Sequence, residues 1–231
     1  MKTRLRPAQA FTLIELITVI AIISILMALL FPAIASAREG ARRAKAGTVV
    51  KDIVNACKNY ANDYGKFPPV VAAKGGAGAN TYVSFGDITA GKCKVDNNQL
   101  FDILRAIPRA GGENAANALN PRQQRYFEQP KATDIKNPRD GFVDGSDFPA
   151  AKLGQLIDPW GNEYCVVLDT DGDDIIDMGT DFYSDLTGDN SVRAPAAAFS
   201  MAKDGIRGGK GYPGLFRKTS STLPPDDVVS W

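Results

Sequence analysis

One carboxylate near the front of a long apolar run constrains this chain more than any other feature. Ala10 to Leu30 reads AFTLIELITVIAIISILMALL, and Lys2, Arg4 and Arg6 precede it. The one charge inside that stretch is Glu15. From Leu16 to Ala37 there are 22 residues without a charged side chain. As a helix rising about 1.5 Å per residue, such a segment covers a hydrocarbon core of roughly 30 Å. A charge inside a membrane helix costs roughly 2.5–3.5 kcal/mol on insertion scales. Glu15 therefore calls for compensation. Either it finds a partner of opposite charge, or it snorkels to the interface from its place near the helix start.

A secretory signal peptide is the competing reading, with Ala35-Ser36-Ala37 as its small-residue cleavage site. Two features favour a span instead. The apolar stretch is longer than the usual h-region of about 7–15 residues. A carboxylate at its front gives a signal peptide nothing. Flanking charge does not orient the span: Lys2, Arg4 and Arg6 lie before it, and Arg38, Arg42, Arg43 and Lys45 after it.

Ala10 to about Pro32, and Phe11-Thr12-Leu13-Ile14-Glu15 above all, resembles the prepilin leader of type IV pilins and type II secretion pseudopilins. One position departs from that pattern: Ala10 stands where the family has Gly before the cut. The resemblance implies that a membrane prepilin peptidase cuts between Ala10 and Phe11 and that the new amino group of Phe11 is methylated. It also implies that Glu15 pairs with the freed amino terminus of a neighbouring subunit during filament assembly. A charge in lipid seeks such a partner, and assembly would supply it. The resemblance, not the charge count, places the leader in the cytoplasm.

Beyond the span, Val50, Ile53, Cys57, Tyr60 and Tyr64 recur at spacings of three and four, one apolar stripe on a helix. Gly65 and Pro68-Pro69 stop it. The simplest reading is a single helix from about Thr12 to Tyr64, apolar all round in its first half and one-sided in its second. Pro32 should bend or loosen it. The stripe should pack on a sheet, with Cys57 as a small core residue. Farther on, Thr81–Phe85 and Tyr164–Leu168 read as strands. Leu100–Ile107 and Asn114–Glu128 read as short helices, the second interrupted or opened by Pro121. The segments are then a leader over 1–10, a membrane helix over 11–35, its amphipathic continuation over 36–65, and a globular domain over 66–231.

Asp158-Pro159-Trp160-Gly161 is a turn by its chemistry, with Trp160 able to bury its ring over the helix stripe. Together with the leader, it resembles the Asp-Pro-Trp-Gly turn of the major pseudopilin of type II secretion. Ser200 with Lys203-Asp204-Gly205, and the tail Asp226-Asp227-Val228-Val229-Ser230-Trp231, resemble that family's later segments. The implied fold is α+β and type IV pilin-like: a long amino-terminal helix packed on a small antiparallel sheet. Residues 75–151 have no counterpart in that pattern and read as an insertion.

Composition narrows the chemistry. The chain of 231 residues has a formal net charge of +1, so no general field draws in nucleic acid. It has no histidine, which removes Ser-His-Asp and Cys-His catalysis and His-ligated zinc. Three cysteines allow one pair plus a thiol if the domain lies outside the cytoplasm. Any metal site must use oxygen, which favours Ca²⁺ or Mg²⁺. Asp169, Asp171, Asp173 and Asp177 have the alternation that points carboxylates at one centre, and Gly172 eases the turn. From Asp169 to Asp189 there are eight Asp and no Lys or Arg. The segment resembles the aspartate loops of thrombospondin type 3 and dockerin repeats, and departs from the EF-hand in having Thr180 at position 12. It reads either as a structural Ca²⁺ loop or as a solvated acidic turn. The pseudopilin resemblance implies a second Ca²⁺ site from Asp204 with Asp226 or Asp227.

The function expected from these features is structural rather than enzymatic. A pseudopilin would assemble into a helical filament with minor pseudopilins on an inner-membrane secretion platform and drive protein export. Its helix would cross the inner membrane once, with the domain in the periplasm. The alternative is a type IV pilin of a surface fibre, for adhesion, motility or DNA uptake. An exported enzyme using paired aspartates, such as a glycosidase, is the third reading. The ion-like spacing and the lack of a neighbouring aromatic groove weigh against it.

Overall fold

A computed structural model describes residues 12–70, 74–77, 80–86, 93–177, 182–183, 191–205 and 227–231. It forms two compact units, Met1–Arg42 and Arg43–Trp231. Helix α1 is Leu13–Tyr64, 52 residues, as the two joined patterns predict. The helix assignment is continuous across Pro32, Gly40 and Gly47.

In the first unit, large apolar side chains are exposed on every side of α1, among them Leu13, Ile17, Ile20, Ile23, Leu26, Leu30 and Phe31. In the second unit, only one face of α1 is covered. Ala46, Val49, Val50, Ile53, Val54, Ala56, Cys57 and Tyr60 are buried, while Lys51, Asp52, Asn55 and Lys58 are exposed. That is the amphipathic stripe read from the sequence, and it packs on a sheet.

The sheet has five antiparallel strands: β1 (Lys74–Ala77), β2 (Asn80–Phe85), β5 (Cys165–Asp169), β8 (Ala196–Ser200) and β9 (Val228–Val229), in that spatial order. Alternation sorts its side chains onto two faces. Val83, Phe85, Val166, Leu168, Ala196 and Ala198 join α1 in one core. Tyr82, Cys165, Val167, Ala197 and Phe199 face a second core containing Ile176, Phe182, Tyr183, Val192 and Met201. Both faces of the central strands are thus covered, which explains why β5 and β8 read as unbroken apolar runs rather than alternating ones. The short ribbon of β6 (Ile175–Ile176) and β7 (Val192–Arg193) adds to the second core, and β3 (Gly141–Phe142) pairs with β4 (Leu156–Ile157).

The segment read as an insertion is built into this framework. Strands β1 and β2 belong to the main sheet. Helix α2 (Asn98–Leu104) buries Leu100, Phe101, Ile103 and Leu104 completely in the core shared with α1. This helix begins and ends earlier than the expected Leu100–Ile107.

The expected helix over Asn114–Glu128 does not form. Only a 3-10 turn, Ala115–Asn117, is present. Two buried asparagines supply the reason, since their side chains take over backbone groups that a helix would have paired. Asn114 Nδ2 donates to the Asp102 carbonyl at 3.0 Å, and its Oδ1 accepts from the amides of Leu119 and Asn120, both at 3.2 Å. Asn120 Nδ2 donates to the carbonyls of Ile103 at 2.8 Å and Gln124 at 2.7 Å, and the Tyr64 hydroxyl donates to its Oδ1 at 2.9 Å. Asn120-Pro121-Arg122 is therefore a structural hub locking this loop to α1 and α2. Positive φ angles at Ala116, Asn117 and Gln123 are incompatible with a regular helix there.

Candidate functional site

The helix start carries the first candidate site. Thr12 precedes α1 as its cap. Its Oγ1 accepts a hydrogen bond from the Glu15 amide at 3.3 Å. The Glu15 carboxylate accepts from the Thr12 amide at 2.8 Å and the Thr12 hydroxyl at 2.7 Å. This is a reciprocal capping box, and it satisfies amide donors that open every helix. It also gives Glu15 hydrogen-bond partners within the subunit. The signal was present: Thr-x-x-Glu ahead of an apolar run is the sequence form of a capping box. The cut expected between Ala10 and Phe11 lies outside the described residues.

The second assembly joins three segments singled out by resemblance. Asp158 follows β4, and its Oδ1 accepts the amides of Trp160 at 2.9 Å, Gly161 at 2.8 Å and Asn162 at 2.8 Å. Its Oδ2 accepts the Ser200 hydroxyl at 2.6 Å. Asn162 then donates to the Ala202 carbonyl at 2.7 Å. Burial pushes the Asp158 carboxyl upward, and these four hydrogen bonds oppose that shift. Trp160 lies against the α1 core. The tail completes the unit. Strand β9 pairs with β8 in the register Phe199↔Val229, and Trp231 stacks edge-on against Phe199 with ring centroids 6.1 Å apart. The Asp-Pro-Trp-Gly turn, the Ser200 segment and the Trp-terminated tail are one folding element.

The third candidate is the aspartate loop after β5. Among the described residues, Asp169, Asp171 and Asp173 bring carboxylate oxygens within 4.8 Å of one another. Asp177 is not in that group. Asp169 is buried, and the other two are exposed. Asp169 Oδ1 accepts the amides of Asp171 at 3.0 Å and Gly172 at 3.1 Å, and its Oδ2 accepts that of Asp174 at 2.8 Å. Asp173 Oδ1 accepts the Ile175 amide at 2.8 Å. Asp169 Oδ1 already accepts two amides and Oδ2 one, so Oδ2 has the greater remaining capacity to ligate a cation. Burial holds its carboxyl above the ordinary carboxylate range. The loop lines a cleft of about 510 Å³ with Asn62, Lys66 and Phe67 from the region where α1 ends. Lys66 is a positive charge lining the same cleft.

The remaining proposed ligands are more dispersed. Asp204 follows β8 and Asp227 precedes β9, so antiparallel pairing of Ser200 with Val228 puts both at one end of that strand pair. Asp227 Oδ2 accepts the Tyr183 hydroxyl at 2.7 Å. Asp226 lies outside the described residues. Cys57 behaves as a core residue: it is fully buried, and desolvation pushes its thiol up to about 12.

Comparison with known proteins bears on the helix start. No curated protein and no solved structure matches the chain. Residues 5–31 match the family described as the prokaryotic N-terminal methylation motif. Within the described residues, α1 is the one helix long and apolar enough to cross a membrane. The amino-terminal segment is a pilin-like prepilin signal, of the kind processed by a prepilin peptidase.

Proposed function

We propose that this chain is a structural subunit of a type II secretion pseudopilus, anchored by α1 in the inner membrane with residues 43–231 in the periplasm. The observation that carries the pilin-like part is the methylation motif over residues 5–31, opening a helix whose apolar side chains are exposed all round. Such a surface is suited to lipid before assembly and to neighbouring helices after it. The secretion assignment is favoured over a surface fibre by the turn at Asp158, linked to Ser200 and closed by the β9–Trp231 tail, which resembles the pseudopilin pattern.

In this reading Glu15 exchanges partners. In the single subunit it caps α1 through Thr12. In the filament it would meet the methylated amine of Phe11 from a neighbour, a stronger, charge-assisted contact. The subunit would assemble with copies of itself and with minor pseudopilins on the inner-membrane platform. Ca²⁺ would bind at Asp169, Asp171 and Asp173, with carbonyls or water completing its six to eight oxygens, and would brace the loop rather than take part in chemistry. The support for this is the convergence of three carboxylates, whose mutual repulsion a cation would relieve.

Deleting the gene separates the two filament readings. Loss of exported proteins from the medium, with surface fibres intact, supports the pseudopilin. Loss of fibres with export unchanged supports the type IV pilin instead. Glu15→Ala should leave the subunit processed and in the membrane but reduce filaments at least tenfold by electron microscopy. Filaments at the parental level in that variant would remove Glu15 from assembly.

A further inference from the structure

Gly86 sits where β2 ends, opposite Cys165 in the β2–β5 register, with a positive φ of 145°. A Cβ built on it would lie 2.9 Å from Cys165 Sγ and 2.9 Å from Cys93 Sγ. Both sulfurs therefore crowd one point and are separated by no more than twice that distance. The glycine leaves the space they share. The segment holding Cys93 is pinned beside this point: the Gly86 amide donates to the Val95 carbonyl at 2.8 Å, and the Lys94 amide donates to Ser84 Oγ at 3.2 Å. Cys93 and Cys165 belong to the second core, whereas Cys57 belongs to the core on the other face of the sheet. All three are buried thiols, and Cys93 is the most exposed of them at 6%.

We propose that Cys93 and Cys165 are an oxidative modification site: they close an intramolecular disulfide when the domain meets a disulfide oxidant, and Cys57 stays a thiol. Disulfide formation requires the two sulfurs to come within bonding reach, and both already lie against the space left open at Gly86. The oxidant is a small-molecule or protein disulfide. The Cys93 thiolate attacks one of its sulfurs, forming a mixed disulfide and releasing one thiol. The Cys165 thiolate then attacks Cys93 Sγ and expels the second thiol. Two protein thiols lose two electrons and two protons in total, and the oxidant's disulfide gains them. The bridge links β5 to the segment after β2 across a span of more than seventy residues, so it constrains the unfolded chain strongly. Its presence in the cell rests on the proposed location of this domain outside the cytoplasm.

The test uses the full chain in detergent, treated with oxidised glutathione. Remaining thiols are alkylated under denaturing conditions, and the protein is digested with chymotrypsin, because Lys92 and Lys94 flank Cys93. A Cys93–Cys165 linked peptide should account for most of Cys165, with Cys57 alkylated, and the oxidised protein should melt roughly 5–10 °C higher than the reduced one. Cys57→Ser should leave the linkage intact. Full alkylation of Cys93 and Cys165, or linkage of either to Cys57, would overturn the proposal. Alkylating intact cells before lysis tests location separately. A bridge that forms with glutathione yet is absent in cells contradicts the periplasmic reading and leaves the pair assigned.

Discussion

The two halves of α1 show how one secondary structure is selected for two solvents. Around Leu13–Phe31 the large apolar side chains point in every direction and all are exposed, from Met27 at 45% to Leu13 at 76%. Around Ala46–Tyr60 the apolar residues keep to one stripe, and Val50, Ile53 and Cys57 are wholly buried against the sheet. Among the described residues nothing buries the first half, so no inside is defined and no periodicity is needed. The second half has a core on one side and water on the other, so a period of 3.6 is enforced. A helix that is hydrophobic all round and unburied within its own chain requires lipid or other helices.

That contrast predicts opposite outcomes for substitutions on the two sides. Ile22→Asp with Leu26→Asp should have the largest effect, since each buried charge costs roughly 2.5–3.5 kcal/mol in lipid. The variant should leave the membrane fraction on ultracentrifugation while the melting temperature of its domain is unchanged. Ile53→Ala should do the reverse. Removing a fully buried Ile costs about 2–5 kcal/mol, a fall of about 5–15 °C in Tm for a unit of this size, with membrane retention intact. If Ile53→Ala also released the protein from membranes, the two halves would not be energetically independent.

The two buried aspartates that close turns sharpen the comparison further. Asp158 is satisfied by three amides and a hydroxyl, whereas Asp169 accepts three amides and has Asp171 and Asp173 beside it. Calcium at about a hundredfold its Kd would stabilise the domain by about 2.7 kcal/mol. Chelation should accordingly lower Tm by several degrees in the parent and leave Asp171→Ala with Asp173→Ala unmoved. An unchanged Tm in the parent makes the loop a turn braced by its own amides. The smallest effect should come from pH. Burial raises the Asp158 carboxyl in the folded state, so its contribution is full below the ordinary carboxylate range and declines as pH rises through the raised value. Asp158→Asn removes this titration, and the stability of the parent relative to that variant should fall with pH across that window in urea titrations.

What was legible in the sequence followed from periodicity and local chemistry. The α1 boundaries, its buried stripe, the strands at Thr81–Phe85 and Tyr164–Leu168 and the Asp158 turn all carry their signal within a few residues. The helix expected over Asn114–Glu128 failed for a non-local reason: Asn114 and Asn120 reach Asp102, Ile103 and Tyr64, which no window containing them includes. Residues 75–151 read as an insertion because they lack a familiar motif, and within them Leu100 and Phe101 fill the main core, a placement that no local pattern announces. The Thr12–Glu15 cap is legible as Thr-x-x-Glu ahead of an apolar run. Convergence of Cys93 and Cys165 at Gly86 depends on strand register, which the sequence does not state.

The central claim is that the amino-terminal segment is a processed, pilin-like assembly element, and the mass of the mature amino-terminal peptide tests it most directly. Purified from its native membrane, the protein should begin at Phe11 with a methyl group on its amine. A protein beginning at Arg38, with the apolar helix removed, would contradict the account.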